Sequence, residues 1–321
     1  MLYSVIIPVY NRPDEIYELL ESLAFQTEKN FEVLIIEDGS TDRCKNVVDQ
    51  FSNKLNIRYY YKENSGQGFS RNYGFSKAKG DYFVVFDSDC LIPEHYFESV
   101  SRFLSTHKID CWGGPDRAHA SFTPIQKAIN FSMTSMLTTG GMRGNSNSIT
   151  AFHPRSFNMG ISKKVFTKTG GYKITRMGED IEFSLRIIEH GFETAFIEDA
   201  YVYHKRRTNF SKFFNQLHFF GRARINIKRY YPDQLKFIHL LPAFFVLGIP
   251  ITFIFLFLNI PVLSMAIFLY PLYAITLFTG GYIEEKSVQV ALLSVCAGFI
   301  QLTAYGFGLM SEMWHERSGK R

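Results

Sequence analysis

From Phe237 to Ile283 the chain runs 47 residues without an Asp, Glu, Lys or Arg, and from Ser287 to Ser311 it runs another 25. A helix needs about 20 apolar residues to cross the hydrocarbon core of a bilayer, so the first run has length for two crossings and the second for one. Pro250, Asn259 and Pro261 mark where the first run divides. The expectation is a C-terminal region at 237–311 holding membrane segments at about 237–258, 261–282 and 287–311, then a short polar tail at 312–321. Three full crossings would put Arg317, Lys320 and Arg321 on the side opposite the N-terminal part, against the positive-inside tendency. A re-entrant hairpin in place of one crossing is the other topology.

Charge is concentrated just ahead of that region. Between Ala200 and Pro232 there are eight Lys or Arg and no acidic residue, while the whole chain carries a formal net charge of only +5. Phe210, Phe213, Phe214, Leu217 and Phe220 recur among those cations close to helical spacing. A basic, Phe-rich stretch at 208–236 beside an apolar run predicts an amphipathic helix lying on anionic lipid, with the cytoplasm on that side. Because the basic cluster adjoins the apolar run, nucleic acid is not the expected partner. The opening MLYSVIIPVY lacks the basic flank and cleavage site of a secretory signal, which predicts a cytoplasmic N-terminal part. Cys44, Cys90, Cys111 and Cys296 form no CxxC pair, so neither a disulfide framework nor a zinc site is expected.

The first third alternates strand and helix signals. Short apolar runs at Ser4–Val9, Phe31–Ile36, Ile57–Tyr61 and Tyr82–Phe86 read as buried strands. Between them, Pro13 opens a helix carrying Ile16, Leu19, Leu20 and Leu23 on one face, and Ser70–Ala78 forms another. This order predicts an α/β fold, a mostly parallel sheet covered by helices on both faces. Ligands of such sheets sit beyond the carboxyl ends of the strands. Those ends carry Tyr10-Asn11-Arg12, Glu37-Asp38-Gly39-Ser40 and Asp87-Ser88-Asp89. From Asp110 to about Arg155 the pattern fades into glycines and Asn145-Ser146-Asn147-Ser148, which predicts long loops. A helix follows from Glu179 to His190, and a last strand at Tyr201–Tyr203.

Asp87 and Asp89 flank one residue at a strand end, where two carboxylates can converge on a hard cation that keeps positions open for phosphate oxygens. A nucleoside diphosphate leaves readily only when its developing charge is neutralised. Glu179 and Asp180 open a helix, where acidic residues also complement the helix dipole. One of them facing a sugar hydroxyl could remove its proton. His204, at the end of the last strand, is a competent third ligand for Mn²⁺. Gly66-Gln67-Gly68 does not extend to GxGxxG, since Arg71 holds the sixth position, so a dinucleotide-binding oxidoreductase is a poor fit.

Together VIIPVYNR (Val5 to Arg12), EDGSTD (Glu37 to Asp42), SGQGFSRNYGFSKAKGDYFVVFDSD (Ser65 to Asp89) and GEDIEFSLRIIEHGF (Gly178 to Phe192) resemble the family 2 glycosyltransferases in order and spacing, over roughly residues 1 to 205. The resemblance implies a GT-A catalytic domain at 1–207 and a set of roles. Pro8, Tyr10, Asp38 and Arg71 would line the nucleotide, and Asp87, Ser88 and Asp89 the ribose and metal-bound diphosphate. Asp89, Asp87 and His204 would hold Mn²⁺ or Mg²⁺. Asp180 would be the base of an inverting transfer, with Glu179, Asn158 and Met159 towards the acceptor. Gln216 to Arg222 lacks the QxxRW motif of processive members, so transfer of a single sugar is expected.

The reading at this point is a membrane-anchored enzyme of glycan or cell-surface polysaccharide synthesis. Its donor would be a UDP-sugar, or GDP-mannose, and its acceptor lipid-linked. A metal-dependent nucleotidyltransferase and a catalytically retired membrane scaffold are the alternatives.

Overall fold

The computed structural model describes residues 1–139, 152–260 and 265–319. The chain forms two compact units, one of residues 1–119 and 146–205, the other of 120–145 and 206–321. One division between the units falls after residue 205, and residues 120–145 also belong to the second unit. The expected loop residues Gly140, Gly141, Gly144 and Asn145 to Ser148, together with Pro261, Lys320 and Arg321, lie outside the described residues.

In chain order the first unit begins β1 (Tyr3–Val9), α1 (Pro13–Ala24), β2 (Phe31–Asp38), α2 (Lys45–Asp49), β3 (Ile57–Lys62), α3 (Gln67–Lys77) and β4 (Tyr82–Phe86). It continues through β5 (Cys90–Leu91), α4 (Tyr96–Thr106), β6 (Cys111–Gly113) and β7 (Asp116–Arg117). The second unit then supplies α5 (Pro124–Thr134) and α6 (Met136–Thr139). The first resumes with β8 (Asn158–Ser162), α7 (Lys163–Thr169), α8 (Glu179–Glu189), β9 (Thr194–Phe196) and β10 (Val202–His204).

The main sheet has the order β3-β2-β1-β4-β8-β6-β9. β1 to β4 are parallel, with Val5 opposite both Val33 and Val84, and β8 runs antiparallel to β4 and β6. Successive side chains of a strand point to opposite faces. Val5, Ile7 and Val84 therefore pack with Leu19, Leu23 and Phe97 on one side, and Ile6, Leu34 and Phe83 with Phe183 and Ile187 on the other. Both faces are covered, which explains why these strands are almost uniformly apolar. A smaller sheet, β5-β10-β7, pairs His204 with Cys90 and Tyr203 with Arg117.

The second unit is helical: α5, α6, α9 (Phe210–Tyr230), α10 (Leu241–Phe257), α11 (Leu269–Glu285) and α12 (Val288–Ser318). α5 starts in a capping box, Thr123 accepting from the Gln126 amide while Gln126 reaches back, with Pro124 in the first turn. That helix replaces part of the loop expected between Asp110 and Arg155.

The expected amphipathic helix is α9. Phe213 and Leu217 of α9 are buried with Ile129, Met133, Ala297 and Ala304, and a Cβ on Gly221 would stand 2.1 Å from the Tyr305 carbonyl. The apolar face of α9 is thus covered by protein. Amphipathic spacing fixes that one face is buried, not what buries it. Among the described residues, two stretches are long and apolar enough to cross a bilayer, Phe237–Phe257 at mean hydropathy 2.5 and Val288–Ser318 at 1.7. The middle expected segment is α11, 17 residues ending in Glu284-Glu285.

Candidate functional site

The turn after β1 is braced to the turn after β2. Asn11 adopts φ 53° and its side-chain oxygen accepts from the amides of Thr41 and Asp42, at 2.9 and 3.0 Å. The fully buried Glu37 accepts from the Cys44 amide at 2.8 Å and from the Tyr59 hydroxyl at 3.3 Å, and Ser40 bonds it too. Next to it, Asp38 accepts from Lys62 Nζ at 2.6 Å and from the amides of Ser65 and Gly66 at 2.9 and 2.8 Å. Burial would raise the Asp38 pKa, but the Lys62 and Ser65 bonds outweigh it and hold this carboxyl below its ordinary range. Gly66 has φ +85°, which lets its N–H point at that carboxylate as α3 begins.

Across β1, the turn after β4 carries the acidic triplet. Asp87 accepts from Arg71 Nη2 at 2.7 Å, and Arg71 Nη1 lies 3.3 Å from Glu179 Oε1. Arg71 is only 1% exposed and rests against the Tyr172 ring, 5.4 Å from its centroid. It thus ties the end of β4 to the start of α8, while Gln67 also bonds Glu179. Asp89 meets Arg12 Nη1 at 2.9 Å through one oxygen and His204 Nε2 at 3.1 Å through the other. His204 stacks on Phe157 at 5.0 Å, and its Nδ1 is buried without a hydrogen-bond partner.

Asp89, Cys90 and His204 place ligand atoms within 4.8 Å of one another. The carboxylate and imidazole suit Mn²⁺ or Mg²⁺. Cys90 does not, since burial and the charges of Asp89 and Asp87 push its thiol well up and keep it protonated. Asp87 falls outside that group of three because it turns to Arg71, so the expected convergence of both carboxylates on one point is not the arrangement seen.

α8 begins after two residues of positive φ, Met177 at 61° and Gly178 at 97°. The turn sets Glu179 and Asp180 in the first helical turn, where the helix N-terminus favours negative charge. Asp180 Oδ1 accepts from the Ile181 amide at 2.9 Å, and Oδ2 from Arg155 Nη1 at 3.2 Å. Burial would raise Asp180, yet the Arg155 charge and bond lower it overall. Glu179 is raised, by burial first and then by the charge of Asp180. The two environments push the pKa values of these neighbouring carboxylates in opposite directions, Glu179 up and Asp180 down.

The structure therefore brings Asp87, Arg71, Glu179 and Asp180 into one chain of contacts, and Asp89, Arg12 and His204 into a second that starts two residues away. Ser88 is buried between the two aspartates, Pro8 sits in β1 opposite Ile36, and Tyr10 stands 53% exposed at the rim. Asn158 and Met159 are corrections. The Asn158 amide is used by the Tyr96 hydroxyl at 2.6 Å and the Ala200 carbonyl at 2.7 Å, and Met159 is wholly buried in the core. Neither side chain is presented to an acceptor. Arg12 and Arg155 escaped the sequence reading. Arg12 stood within a quoted string, but nothing local announces a partner 77 residues away.

A family model described as "Glycosyl transferase family 2" matches residues 4–170. An "Uncharacterized glycosyltransferase" of Rickettsia felis is 44% identical over 101 residues, 32% of this chain and 17% of that protein. "Poly(ribitol-phosphate) beta-N-acetylglucosaminyltransferase TarS" of Staphylococcus aureus is 36% identical over 114 residues, 34% of this chain and 20% of that one. The matches thus span well under two thirds of these relatives. Among solved structures, a mannosyltransferase of Pyrobaculum calidifontis in complex with GDP-Man and Mn²⁺ aligns at TM-score 0.63 and 15% identity, covering 98% of this chain and 87% of that one. Residues 1–349 of S. aureus TarS in complex with UDP-GlcNAc align at 0.51 and 19%, covering 99% and 92%.

Proposed function

This chain belongs to glycosyl transferase family 2 and is a glycosyltransferase of GT-A fold, and we propose that it transfers one sugar, with inversion, from a nucleotide-sugar to an acceptor held at a membrane. The observation that carries this reading is the Arg71 bridge from Asp87 to Glu179, which joins the strand end suited to a diphosphate to the helix that bears Asp180.

In the reaction an acceptor hydroxyl oxygen attacks the anomeric carbon on the face opposite the diphosphate. Its bond to that carbon forms as the carbon–oxygen bond to the nucleoside diphosphate breaks. Asp180, ionised in its pairing with Arg155, takes the hydroxyl proton. Asp38 and the Tyr10 rim would receive the nucleotide. Asp89 and His204, with Asp87 beside them, would hold Mn²⁺ or Mg²⁺, which when bound neutralises charge on the departing diphosphate. The donor is proposed to be a UDP-sugar, with GDP-mannose as the second choice. The structurally similar mannosyltransferase in complex with GDP-Man and TarS in complex with UDP-GlcNAc support a nucleotide-sugar of this kind.

The membrane part of the reading rests on unit 2. Polar side chains within the charge-free runs are used internally, as hydrocarbon requires. Thr252 donates to the Gly248 carbonyl, Ser294 to that of Val290, Tyr270 to that of Phe245, and Ser132 to Gln301 Oε1. An anchor on the same chain as the catalytic unit would raise the effective concentration of a membrane-confined acceptor, here proposed to be lipid-linked and met on the cytoplasmic side.

The test is incubation of the full chain in membranes with a panel of nucleotide-sugars and Mn²⁺. Release of UDP or GDP, lost with EDTA and restored by Mn²⁺, is the expected result. Release of pyrophosphate would mean nucleotidyl transfer instead, and no turnover of any donor would leave the scaffold reading standing.

A further inference from the structure

The second unit places its charged and apolar surfaces unevenly, and granted the membrane reading above, that placement decides how the anchor sits. α12 has length to cross a bilayer, but α9 packs along it. Phe213 and Leu217 cluster with Ala297 and Ala304, Gly221 backs onto Tyr305 and Leu309, and Arg222 and Arg229 meet Glu312 at 2.9 and 3.0 Å. α9 carries five cations, Lys212, Arg222, Arg224, Lys228 and Arg229, and Lys212 near its start is exposed. Charged side chains at the centre of a bilayer are costly and rare. A helix so charged cannot accompany α12 through hydrocarbon. At the other end of α12, Lys127 pairs with Glu285 at 3.3 Å just before the helix begins. Charged groups therefore flank α12 at both ends and along α9.

α10 is different. Its first half is held by the bundle: Pro242 backs onto Gly306, Phe245 packs on Phe299 and Tyr273, and the Tyr270 hydroxyl donates to the Phe245 carbonyl at 2.9 Å. Beyond Gly248 the helix exposes Ile249, Ile251, Phe253, Ile254, Leu256 and Phe257, which together cover more than half of its circumference, while Thr252 on the remaining side is buried. Its end is closed from within the chain. Asn259 takes φ 54°, its N–H donates to the Leu256 carbonyl at 3.2 Å, and the Ile260 N–H donates to the Phe255 carbonyl at 3.0 Å. This left-handed closure satisfies carbonyls that lipid could not. By Tyr270 the chain is back beside Gly248. From Gly248 to Leu258 the helix rises about 15 Å, half of a hydrocarbon core about 30 Å thick.

We propose that the second half of α10, Ile249–Leu258, is an apolar wedge that enters one leaflet and turns back, so that α12 and the C-terminal end of the chain stay on the α9 side of the bilayer. The wedge meets lipid acyl chains. The basic face of α9 and the Arg222–Glu312 pair remain in the headgroup and water layers.

The experiment uses the full-length chain in sealed phosphatidylethanolamine–phosphatidylglycerol vesicles. Single cysteines at three exposed positions, Phe257→Cys, Trp314→Cys and Lys212→Cys, are placed in a Cys296→Ser background. A fluorophore at Phe257→Cys is expected to be quenched by lipids brominated deep in the acyl chain and shielded from aqueous iodide. Trp314→Cys and Lys212→Cys are expected to react with a membrane-impermeant maleimide from the same vesicle face and to equal extents. Labelling of Lys212→Cys with Trp314→Cys protected until detergent is added would show that the chain crosses, which overturns the wedge and leaves the membrane reading intact. Aqueous quenching at all three positions would overturn both.

Discussion

Asp180 and Glu312 invite comparison, since each lies near a helix end and meets arginine. Asp180, in the first turn of α8, gives one oxygen to the Ile181 amide and the other to a single guanidinium nitrogen of Arg155, and its side chain keeps 23% of its surface open. Glu312, near the end of α12, takes Arg222 Nε on one oxygen and Arg229 Nη2 on the other, and is 8% open. Two arginines from a neighbouring helix close Glu312, and one arginine holds Asp180 ionised with room for another hydrogen. The first arrangement fastens helices together; the second keeps a base ready. Burial and ion pairing alone would have ranked Glu312 the more notable carboxylate. What separates them is which lone pairs remain to be used.

The comparison breaks most sharply at Asp180→Asn. The amide keeps the shape and one acceptor oxygen, so it can hold only one of the Ile181 and Arg155 bonds; it cannot take the acceptor's proton, and kcat is expected to fall about 10²–10⁴-fold with the folded state intact. Near-normal release of nucleoside diphosphate on transfer would remove Asp180 from the role. Glu312→Gln should do the reverse. It removes one of the two charge-assisted bonds, since the amide nitrogen cannot accept from an arginine, and weakens the other, at about 1.5–3 kcal/mol each at most, less the share that the partly exposed Arg222 regains from water. Thermal unfolding of the purified chain should shift down while kcat below the transition stays within about twofold, a difference small on the scale of one lost charge-assisted bond. A Glu312→Gln enzyme as inactive as Asp180→Asn would mean that the helical unit is coupled to the chemistry.

Several of these features could be read from residues alone. The four parallel strands, the start of α8 and the clustering of acids at strand ends follow from apolar runs and terminal signals. β5 and β7 did not, because two-residue strands such as Cys90–Leu91 and Asp116–Arg117 exist only through their pairing with β10. α5 was legible in Thr123-Pro124 and Gln126, a capping box obscured by the glycines that follow. The face of α9 was recognised but its cover was not, since the small residues opposite it, Ala297, Ala304 and Gly308, lie in what reads as a membrane run. Met159 was placed towards the acceptor by the family resemblance and not by the pattern of its own strand. In β8 alternate residues face opposite sides, and Met159 faces Ile161 and Phe183 in the core.

The finest discrimination between the two carboxylates comes from Arg155→Gln. Among the described residues, Arg155, Arg71, the Ile181 amide, Glu179 and Tyr172 bear on Asp180, and of these Arg155 alone both bonds and neutralises it. The Arg155 charge lowers the pKa of Asp180, so its loss lets burial raise it. Activity needs the ionised base, hence the acid limb of the kcat–pH profile should move to higher pH. On the alkaline plateau, where Asp180 is ionised in either protein, the loss should be under about tenfold, reflecting only a looser carboxylate. Arg155→Lys should restore most of the limb. A merely structural arginine would lower kcat evenly at every pH, and an even loss would place Arg155 with Arg222 and Arg229, as a fastening rather than as the partner of a base.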